Sequence, residues 1–441
     1  MHIILLSGGS GKRLWPLSND TRSKQFLKLL TAPDGTKESM IQRVTRQISE
    51  TVVNADITIA TSELQKDSIL SQLNGNVRVV TEPERRDTFP AIALSCMHLI
   101  LENKFLDDEV VVVMPCDSYV DNSYFNAIKE VAQRVEENIA DLVLIGIKPT
   151  EASTKFGYLL PDTSYPLIVK SFVEKPNTEN ALRLLKEGAV WNGGVFGFRL
   201  GYIKNIIEKY VLAESFREFK ERYSALPKIS FDYEVVEKAT SVGVVYYDGQ
   251  WKDLGTWDSL SNELSDNILG NCISYNSTDT TIINELNIPI VCHGADGLIV
   301  AASPDGILVA DKASSDTIKN TVVSIELRPM YEERRWGSYK VIDNVEFKDG
   351  FCALTKQLSL NPGCSISYQR HQYRDEVWTF IDGEGEIVID GVRKKVSRGD
   401  TVTIYKTQMH ALRAKTPLTF IEVQRGSHLV EDDIERFNYD W

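Results

Sequence analysis

The sequence lacks the features of membrane-spanning, secreted and nucleic-acid-binding proteins. No stretch approaches the ~20 consecutive apolar residues of a membrane span. The N-terminus has no basic region and an apolar run of only four residues, so no signal peptide is predicted. The net charge of −13 argues against nucleic acid or an anionic membrane as the main partner. The six cysteines show no CxxC spacing, so neither a disulfide framework nor a zinc knot is indicated. We therefore expect a cytoplasmic protein.

The length of 441 residues and an ordinary hydrophobic content of 42% predict about three globular domains. Strand-like and helix-like segments alternate over residues 1–265, which predicts an α/β domain around a mostly parallel sheet. One of its helices is expected to begin at a capping box of Ser39 and Gln42. Residues 266–330 predict a small β-rich connector. Residues 331–441 have close turn signals and no long helical pattern, which predicts an all-β sandwich or barrel.

A glycine-rich turn near the N-terminus predicts a phosphate site. It follows the apolar strand Ile3–Leu6, and cationic residues come after it. Glycine lets the backbone approach a ligand closely, and the N–H groups of such a turn converge on anions. An ordinary strand-to-helix connection is the alternative, because the turn fits neither the dinucleotide fingerprint nor the Walker pattern. The residues predicted to bind nucleotide here are Ser7, Gly8, Gly9, Gly11, Lys12 and Arg13.

The longer string around this turn, GGSGKRLWPLS followed by KQFL, resembles the sugar-nucleotidyltransferase signature in its mannose-1-phosphate guanylyltransferase form. One departure is Ser23, where the family usually has proline before the signature lysine. The resemblance implies a Rossmann-like nucleotidyltransferase domain. It also implies that Arg13 and Lys24 are catalytic residues that hold the triphosphate.

Two aspartates are candidate metal ligands. Asp117 ends an apolar strand, at the sheet edge where open α/β sheets bind ligands, and Asp253 follows another strand-like run. Each alone is compatible with a turn or cap aspartate. The motifs PCDS and DLGT resemble the family's two metal-binding aspartate motifs, which implies that Asp117 and Asp253 are catalytic and bind Mg²⁺.

Several short motifs resemble the family's sugar-phosphate site. Their order along the first 260 residues matches the family order, whereas Glu174-Lys175 alone could be a surface pair ahead of a turn proline. The residues implied to bind the sugar phosphate are Gly157, Glu174, Lys175, Asn192 and Asp232.

The nucleobase is expected to lie against residues 82–90. The resemblance implies nucleotide-binding roles for Glu82, Arg86, Asp87 and Thr88. The family has asparagine where Asp87 stands, and a small residue where Phe89 stands. An acid can accept hydrogen bonds from guanine, but these differences leave the base open, and a helix N-cap at Asp87 or Thr88 is an alternative.

The C-terminal segment contains the string QRHQYRDEVW at residues 369–378 and a further histidine, His410. With these residues it resembles a cupin of the phosphomannose-isomerase type. Tyr373 and Val377 stand where the family has histidine. An active mannose-6-phosphate isomerase and a structural or dimerising barrel are both open interpretations. The possible ligands of a second divalent metal, zinc or similar, are Gln369, His371, Glu376 and His410.

The resemblance implies a homodimeric transferase that makes GDP-mannose and pyrophosphate from GTP and mannose 1-phosphate. A phosphate monoester has a second pKa near ~6, so the nucleophile is ionised at neutral pH and needs no general base. The alternatives are another sugar 1-phosphate, such as a heptose, another nucleoside triphosphate, a bifunctional enzyme with isomerase activity, and a non-catalytic sugar-nucleotide sensor.

Overall fold

The computed structural model describes residues 1–9, 11–75, 77–325, 328–430 and 433–441. The chain divides into two compact units. The first comprises Met1–Ser10, Ser23–Lys66 and Gly75–Ser265; the second comprises Gly11–Arg22, Asp67–Asn74 and Asp266–Trp441. Along the described chain, we find no helix that is both long enough and apolar enough to cross a membrane.

The first unit contains the α/β domain that the alternating pattern predicts. Its strands are β1 (His2–Ser7), β2 (Leu30–Thr31), β3 (Lys37–Glu38), β4 (Asp56–Ser62), β5 (Arg78–Glu82), β6 (Val110–Pro115), β7 (Ser118–Val120), β8 (Leu142–Ile147), β9 (Tyr158–Pro161), β10 (Val169–Val173), β11 (Val190–Arg199), β12 (Val242–Tyr247) and β13 (Trp251–Asp253). The α-helices within residues 1–261 are α1 (Met40–Thr51), α2 (Lys66–Gln72), α3 (Thr88–Met97), α4 (Tyr124–Glu136), α5 (Thr178–Lys186), α6 (Leu200–Ile207), α7 (Phe216–Glu221) and α8 (Trp257–Ser261). Short 3₁₀ or π turns occupy Lys12–Leu14, Lys24–Phe26, Glu63–Gln65, His98–Glu102, Tyr223–Ala225 and Asp232–Val236.

Nine strands form one mixed sheet. Its main path is β10-β9-β11-β6-β1-β4-β5, and β8 pairs with β11 and β12. Strand β1 runs parallel to β4 and β6, whereas β11 is antiparallel to its neighbours. The centre of β6 is fully buried because both of its faces are covered, as its continuous apolar sequence predicts. The carboxyl ends of β1, β4 and β6 therefore meet at one edge of the sheet.

The connector segment of the second unit is built from short strands. They are β14 (Ile268–Leu269), β15 (Cys272–Tyr275), β16 (Thr281–Asn284), β17 (Ile290–His293), β18 (Leu298–Ser303) and β19 (Gly306–Asp311), followed by a 3₁₀ segment (Lys312–Thr317) and α9 (Ile318–Val322). Strands β14, β16 and β18 are parallel neighbours, and β19 returns antiparallel to β18. The apolar side chains of β16 and β18 are buried, and Ile282, Cys292 and Val300 form a small core of this β-rich segment.

The C-terminal segment folds into two antiparallel sheets, which confirms the all-β, cupin-like prediction. Its strands are β20 (Tyr331–Arg334), β21 (Gly337–Glu346), β22 (Cys352–Leu360), β23 (Ser365–Arg370), β24 (Arg374–Asp382), β25 (Glu384–Ile389), β26 (Val392–Ser397), β27 (Thr401–Ile404), β28 (His410–Ala414), β29 (Leu418–Gly426) and β30 (Glu435–Phe437). The sheet orders are β20-β21-β22-β29-β24-β27 and β26-β25-β28-β23-β30. Buried Trp378, Phe380, Ile387, Leu412 and Phe420 form the core of this segment.

Candidate active site

A lysine lies between the two predicted metal-binding aspartates. Lys24 Nζ is 2.9 Å from Asp117 Oδ2 and 3.1 Å from Asp253 Oδ1. The pairing of β13 with β7 places Asp253 opposite Ser118, and so brings it beside Asp117. Burial opposes the charge on Lys24, but the attraction of both carboxylates outweighs it and raises the lysine pKa. The two aspartate side chains are 36% and 43% exposed, so these carboxylates remain open to a ligand.

The glycine turn lies at the sheet edge and borders a cavity of about 370 Å³. A Cβ atom added at Gly8 or Gly9 would meet no atom within 4 Å, so the backbone there faces open space. The side-chain amide of Gln25 donates to Ser7 Oγ over 3.1 Å, and that of Gln65 donates to the carbonyl of Gly9 over 3.2 Å. These two bonds hold the turn in place, and Gln25 itself also lines the cavity. The cavity brings together predicted site residues from distant parts of the sequence: Ser7, Gly8, Gly9, Glu82, Arg86, Asp87, Thr88 and Asp117.

The predicted base-binding residues form another wall of this cavity. Asp87 has φ 75° and ψ −177°, a conformation that normally requires glycine, and its carboxylate accepts from the backbone N–H of Thr88 over 2.7 Å. It immediately precedes α3, so the residue caps the helix and lines the cavity at once. Tyr223 Oη donates to Glu82 Oε1 over 2.6 Å, and burial raises the pKa of Glu82.

The five predicted sugar-phosphate residues lie together in one cluster. Asn192 Nδ2 donates to Asp232 Oδ1 over 2.7 Å, and Lys175 Nζ is 2.7 Å from Glu174 Oε1. The backbone N–H of Asn192 donates to the carbonyl of Gly157 over 2.8 Å. Burial, and then the charge of Glu174, raise the pKa of Asp232 to about 6. This arrangement offers carboxylates and an amide to the hydroxyl groups of a sugar.

Gly157 is required for a reason that the sequence did not suggest. A Cβ at this position would lie 2.5 Å from Glu174 Oε2 and 2.8 Å from the ring of Phe172. The close neighbour of the glycine is therefore the Glu174 carboxylate, so the missing side chain makes room for that acid.

The remaining signature residues belong to the second unit. Gly11, in a left-handed conformation with φ 39°, precedes the 3₁₀ turn that carries Lys12 and Arg13. The adjacent Leu14 is buried in this unit. The nucleotide-binding roles of Gly11, Lys12 and Arg13 stay predictions. Ser10, which lies between Gly9 and Gly11 in the signature, is outside the described residues.

The C-terminal segment contains a second, fully buried cluster. His371 Nε2 is 3.1 Å from Glu376 Oε1, and His410 Nε2 is 3.6 Å from Glu376 Oε2. Gln369 Nε2 lies 3.5 Å from His371 Nε2. The donor atoms of the two histidines and the glutamate lie within 4.8 Å of one another, and His410 Nε2 is buried without a hydrogen-bond partner in the described chain. Imidazole and carboxylate donors at this spacing fit a divalent metal.

Arg374 competes for the same acid. Its Nε donates to Glu376 Oε1 over 2.9 Å, and one Nη lies 3.3 Å from His371 Nε2. Burial opposes the negative charge of Glu376, but the histidines and Arg374 lower its pKa. Tyr373, where the family has histidine, is 58% exposed, so this departure lies outside the cluster.

The sequence reasoning missed three residues that hold the site in place. Gln25 and Gln65 support the glycine turn, and Tyr223 binds Glu82. Gln25 lies inside the quoted KQFL string and could have been found there. Gln65 and Tyr223 come from segments without a motif, and only the folded chain brings them beside Gly9 and Glu82.

A glycine turn at the edge of a mixed sheet, bordering a cavity and in the same unit as paired aspartates, is the arrangement of a nucleotidyltransferase. The nucleotidyl transferase family model matches residues 2–268, and the mannose-6-phosphate isomerase C-terminal model matches residues 327–439. The chain belongs to the nucleotidyl transferase family and, within it, to the mannose-1-phosphate guanylyltransferases.

Two curated relatives match nearly the whole chain, and a solved structure matches about three quarters of it. A mannose-1-phosphate guanylyltransferase of Sinorhizobium fredii is 30% identical over 98% of this chain and 90% of its own length. The enzyme of that name from Salmonella montevideo is 31% identical over 99% of this chain and 98% of its own. A crystal structure from Thermus thermophilus, described as a mannose-1-phosphate geranyltransferase, matches with a TM-score of 0.60 and 28% identity, over 73% of this chain and 98% of that one.

Proposed function

We propose that the enzyme transfers a guanylyl group from GTP to mannose 1-phosphate, forming GDP-mannose and pyrophosphate. The observation that carries this proposal is Lys24 between Asp117 and Asp253 in the same unit as the open glycine turn, with Asp117 also lining the cavity. Such an arrangement would offer positive charge and carboxylate oxygens to a triphosphate and its acceptor.

The transfer needs one bond formed and one broken. An oxygen of the sugar phosphate attacks the α-phosphorus, and the bond from that phosphorus to the bridging oxygen of pyrophosphate breaks. The attacking phosphate is ionised at neutral pH because its second pKa is near ~6, so no side chain has to remove a proton. Catalysis then rests on positioning and on stabilising charge, with Lys24 as the described cation closest to the paired aspartates.

We assign Mg²⁺ to Asp117 and Asp253. The fit rests on their donor chemistry, since Mg²⁺ prefers one or two carboxylates together with substrate phosphates. When bound, the ion would neutralise charge on the phosphate oxygens. Lys24 holds the two acids close despite their like charges.

The sugar is proposed to occupy the cluster of Glu174, Lys175, Asn192 and Asp232. Glu174 and Asp232 accept from hydroxyl groups, and Asn192 donates. Lys175 pairs with the sugar phosphate in place of its present partner Glu174.

Pyrophosphate release with Mg²⁺, across four nucleoside triphosphates and a panel of sugar 1-phosphates, tests the proposal. We expect pyrophosphate to be released only when GTP and mannose 1-phosphate are supplied together. Rapid release with a heptose 1-phosphate or with another nucleotide would replace the substrate but keep the mechanism. Nucleotide binding without release from any pair would instead indicate a sensor.

A second activity, isomerisation of mannose 6-phosphate, is favoured by the buried cluster of His371, Glu376 and His410. The test is isomerisation of mannose 6-phosphate after loading with Zn²⁺ or similar ions, with a chelated sample as the control. No turnover with any ion would leave the segment a structural or dimerising barrel.

The proposal also includes a homodimer in the cytoplasm. All six cysteines are free, which fits a reducing compartment. Light scattering on the purified chain measures the oligomeric state.

A further inference from the structure

The signature segment Gly11–Arg22, here called the signature loop, is anchored on the connector in the second unit. Arg22 donates to both carboxylate oxygens of Glu285, over 2.8 and 2.9 Å. Its guanidinium also lies 5.1 Å from the ring centroid of Tyr331, at the start of β20. The Arg22 side chain is 14% exposed, so this two-bond ion pair is largely shielded from water.

A second anchor holds the middle of the signature loop. Asn19 Nδ2 donates to Asp305 Oδ2 over 2.6 Å, and the other oxygen of Asp305 accepts from the backbone N–H of Met330, also over 2.6 Å. The side-chain oxygen of Asn19 accepts from the backbone N–H groups of Thr21 and Arg22, over 3.0 and 2.7 Å. Asn19 therefore shapes the loop and fastens it to the turn between β18 and β19.

The third anchor combines a hydrogen bond with close packing. Ser303 Oγ donates to the carbonyl of Pro16 over 2.6 Å. A Cβ at Gly306 would lie 2.5 Å from the indole ring of Trp15, so this glycine lets the turn pack against the loop. Only the three residues Lys12–Leu14 of the loop have helical structure, so contacts of this kind, rather than regular structure, fix its path.

We propose that Glu285 and Asp305 are positioning residues of the transferase reaction, which hold the signature loop and, through it, Lys12 and Arg13. This inference rests on the proposed function, because Lys12 and Arg13 are predicted to bind the nucleotide. The connector is then part of the catalytic apparatus rather than a spacer. A displacement of a catalytic group by about 1 Å can cost ~10²-fold in rate, so even a small loss of order in the loop is measurable.

The decisive variant is Glu285→Gln, which keeps the size of the side chain and removes the ion pair. We expect kcat/KM for GTP to fall by about tenfold or more, with the KM for mannose 1-phosphate unchanged. Asp279→Asn is the matched control in the same unit, because it removes the ion pair between Asp279 Oδ1 and Lys312 Nζ, which are 2.6 Å apart. Neither of these residues belongs to the three anchors of the signature loop.

Pair variants separate positioning from a general loss of stability. If Arg22 and Glu285 act through one another, the double variant Arg22→Gln/Glu285→Gln loses no more activity than the worse single variant. If the activity losses of the two single variants instead multiply in the double variant, the assignment is overturned. A kinetic loss that Asp279→Asn shares, or one that follows a fall in melting temperature, would overturn it as well.

Hydrogen–deuterium exchange over residues 11–22 gives a readout that does not depend on activity. Faster exchange in Glu285→Gln than in Asp279→Asn supports the anchor. Unchanged exchange overturns it, and faster exchange with unchanged kinetics overturns the catalytic role. If the wild-type enzyme released no pyrophosphate, the proposed function would fail. In that case the affinity for GTP would serve as the readout for Lys12 and Arg13. An affinity that is equal in Glu285→Gln and Asp279→Asn would overturn the inference.

Discussion

The two charged clusters of this chain use similar groups in opposite surroundings. In the nucleotidyltransferase domain, Lys24 pairs with two aspartates that remain more than a third exposed. In the cupin-like segment, Glu376 is 2% exposed and is surrounded by His371, His410 and Arg374. The first cluster keeps lone pairs for an incoming ligand, whereas the second already satisfies most of its own charge. The two clusters therefore differ more in the exposure of their acids than in the kinds of residue that they contain.

The largest effect is expected from removing the cation of the open cluster. In Lys24→Met, the two aspartates face each other without a counter-charge, and the triphosphate loses a donor. We expect kcat for pyrophosphate release to fall by ~10³-fold, the upper end for one charge-stabilising donor. Lys238→Met removes a lysine of the same unit whose partner is Glu234, and it should keep full activity. Activity of Lys24→Met near the control value would remove Lys24 from the catalytic residues.

Breaking the buried cluster should lower stability rather than transfer activity. In Glu376→Gln, the Arg374 guanidinium loses the nearer of its two buried counter-ions and keeps only Asp433, at 3.8 Å, which costs about 3 kcal/mol of the free energy of unfolding, the lower end for a broken buried pair. Chemical denaturation measures this loss, and Glu386→Gln, at an exposed ion pair with Lys415, is the control. If Glu376→Gln lowered transferase activity while the protein stayed folded, the prediction that the buried cluster affects only stability would be wrong.

How far the sequence predicts these features depends on the range of the contacts. The capping box of Ser39 and Gln42 is present, with bonds of 3.3 and 3.1 Å, because it depends on neighbouring residues. The all-β segment follows from its turn spacing in the same way. The bond between Arg22 and Glu285 joins residues 263 positions apart, and no local pattern predicts it. Lys24 could be placed near the aspartates only through the resemblance, since three separate segments meet there.

The sugar cluster predicts a pH dependence of stability. Asp232 has a pKa of about 6 in the folded chain against an ordinary value of 3.8. Because its pKa is raised, Asp232 stays protonated up to a higher pH in the folded state than in the unfolded state. Its contribution to the free energy of unfolding is therefore complete below about pH 4 and is lost as the pH rises through 6. The loss is about 3 kcal/mol at pH 7, and Asp232→Asn should remove it. Melting temperatures between pH 4 and 7 measure the difference; equal slopes in both proteins would contradict the assignment, and the exposed Asp248→Asn is the control.

The smallest effect concerns the base. Asp87→Ala removes the carboxylate that lines the cavity and the bond to the Thr88 N–H, and we expect kcat/KM for GTP to fall by about tenfold, the value of one hydrogen bond to a charged group. Asp87→Asn is the matched control, because it keeps an oxygen acceptor for Thr88 and has the residue usual in the family. If the carboxylate reads guanine, the alanine variant loses rate with GTP but not with ATP, and the asparagine variant lies between it and the wild type. An equal loss with both nucleotides would instead assign Asp87 to the helix cap alone, since a cap holds the cavity wall without distinguishing the base.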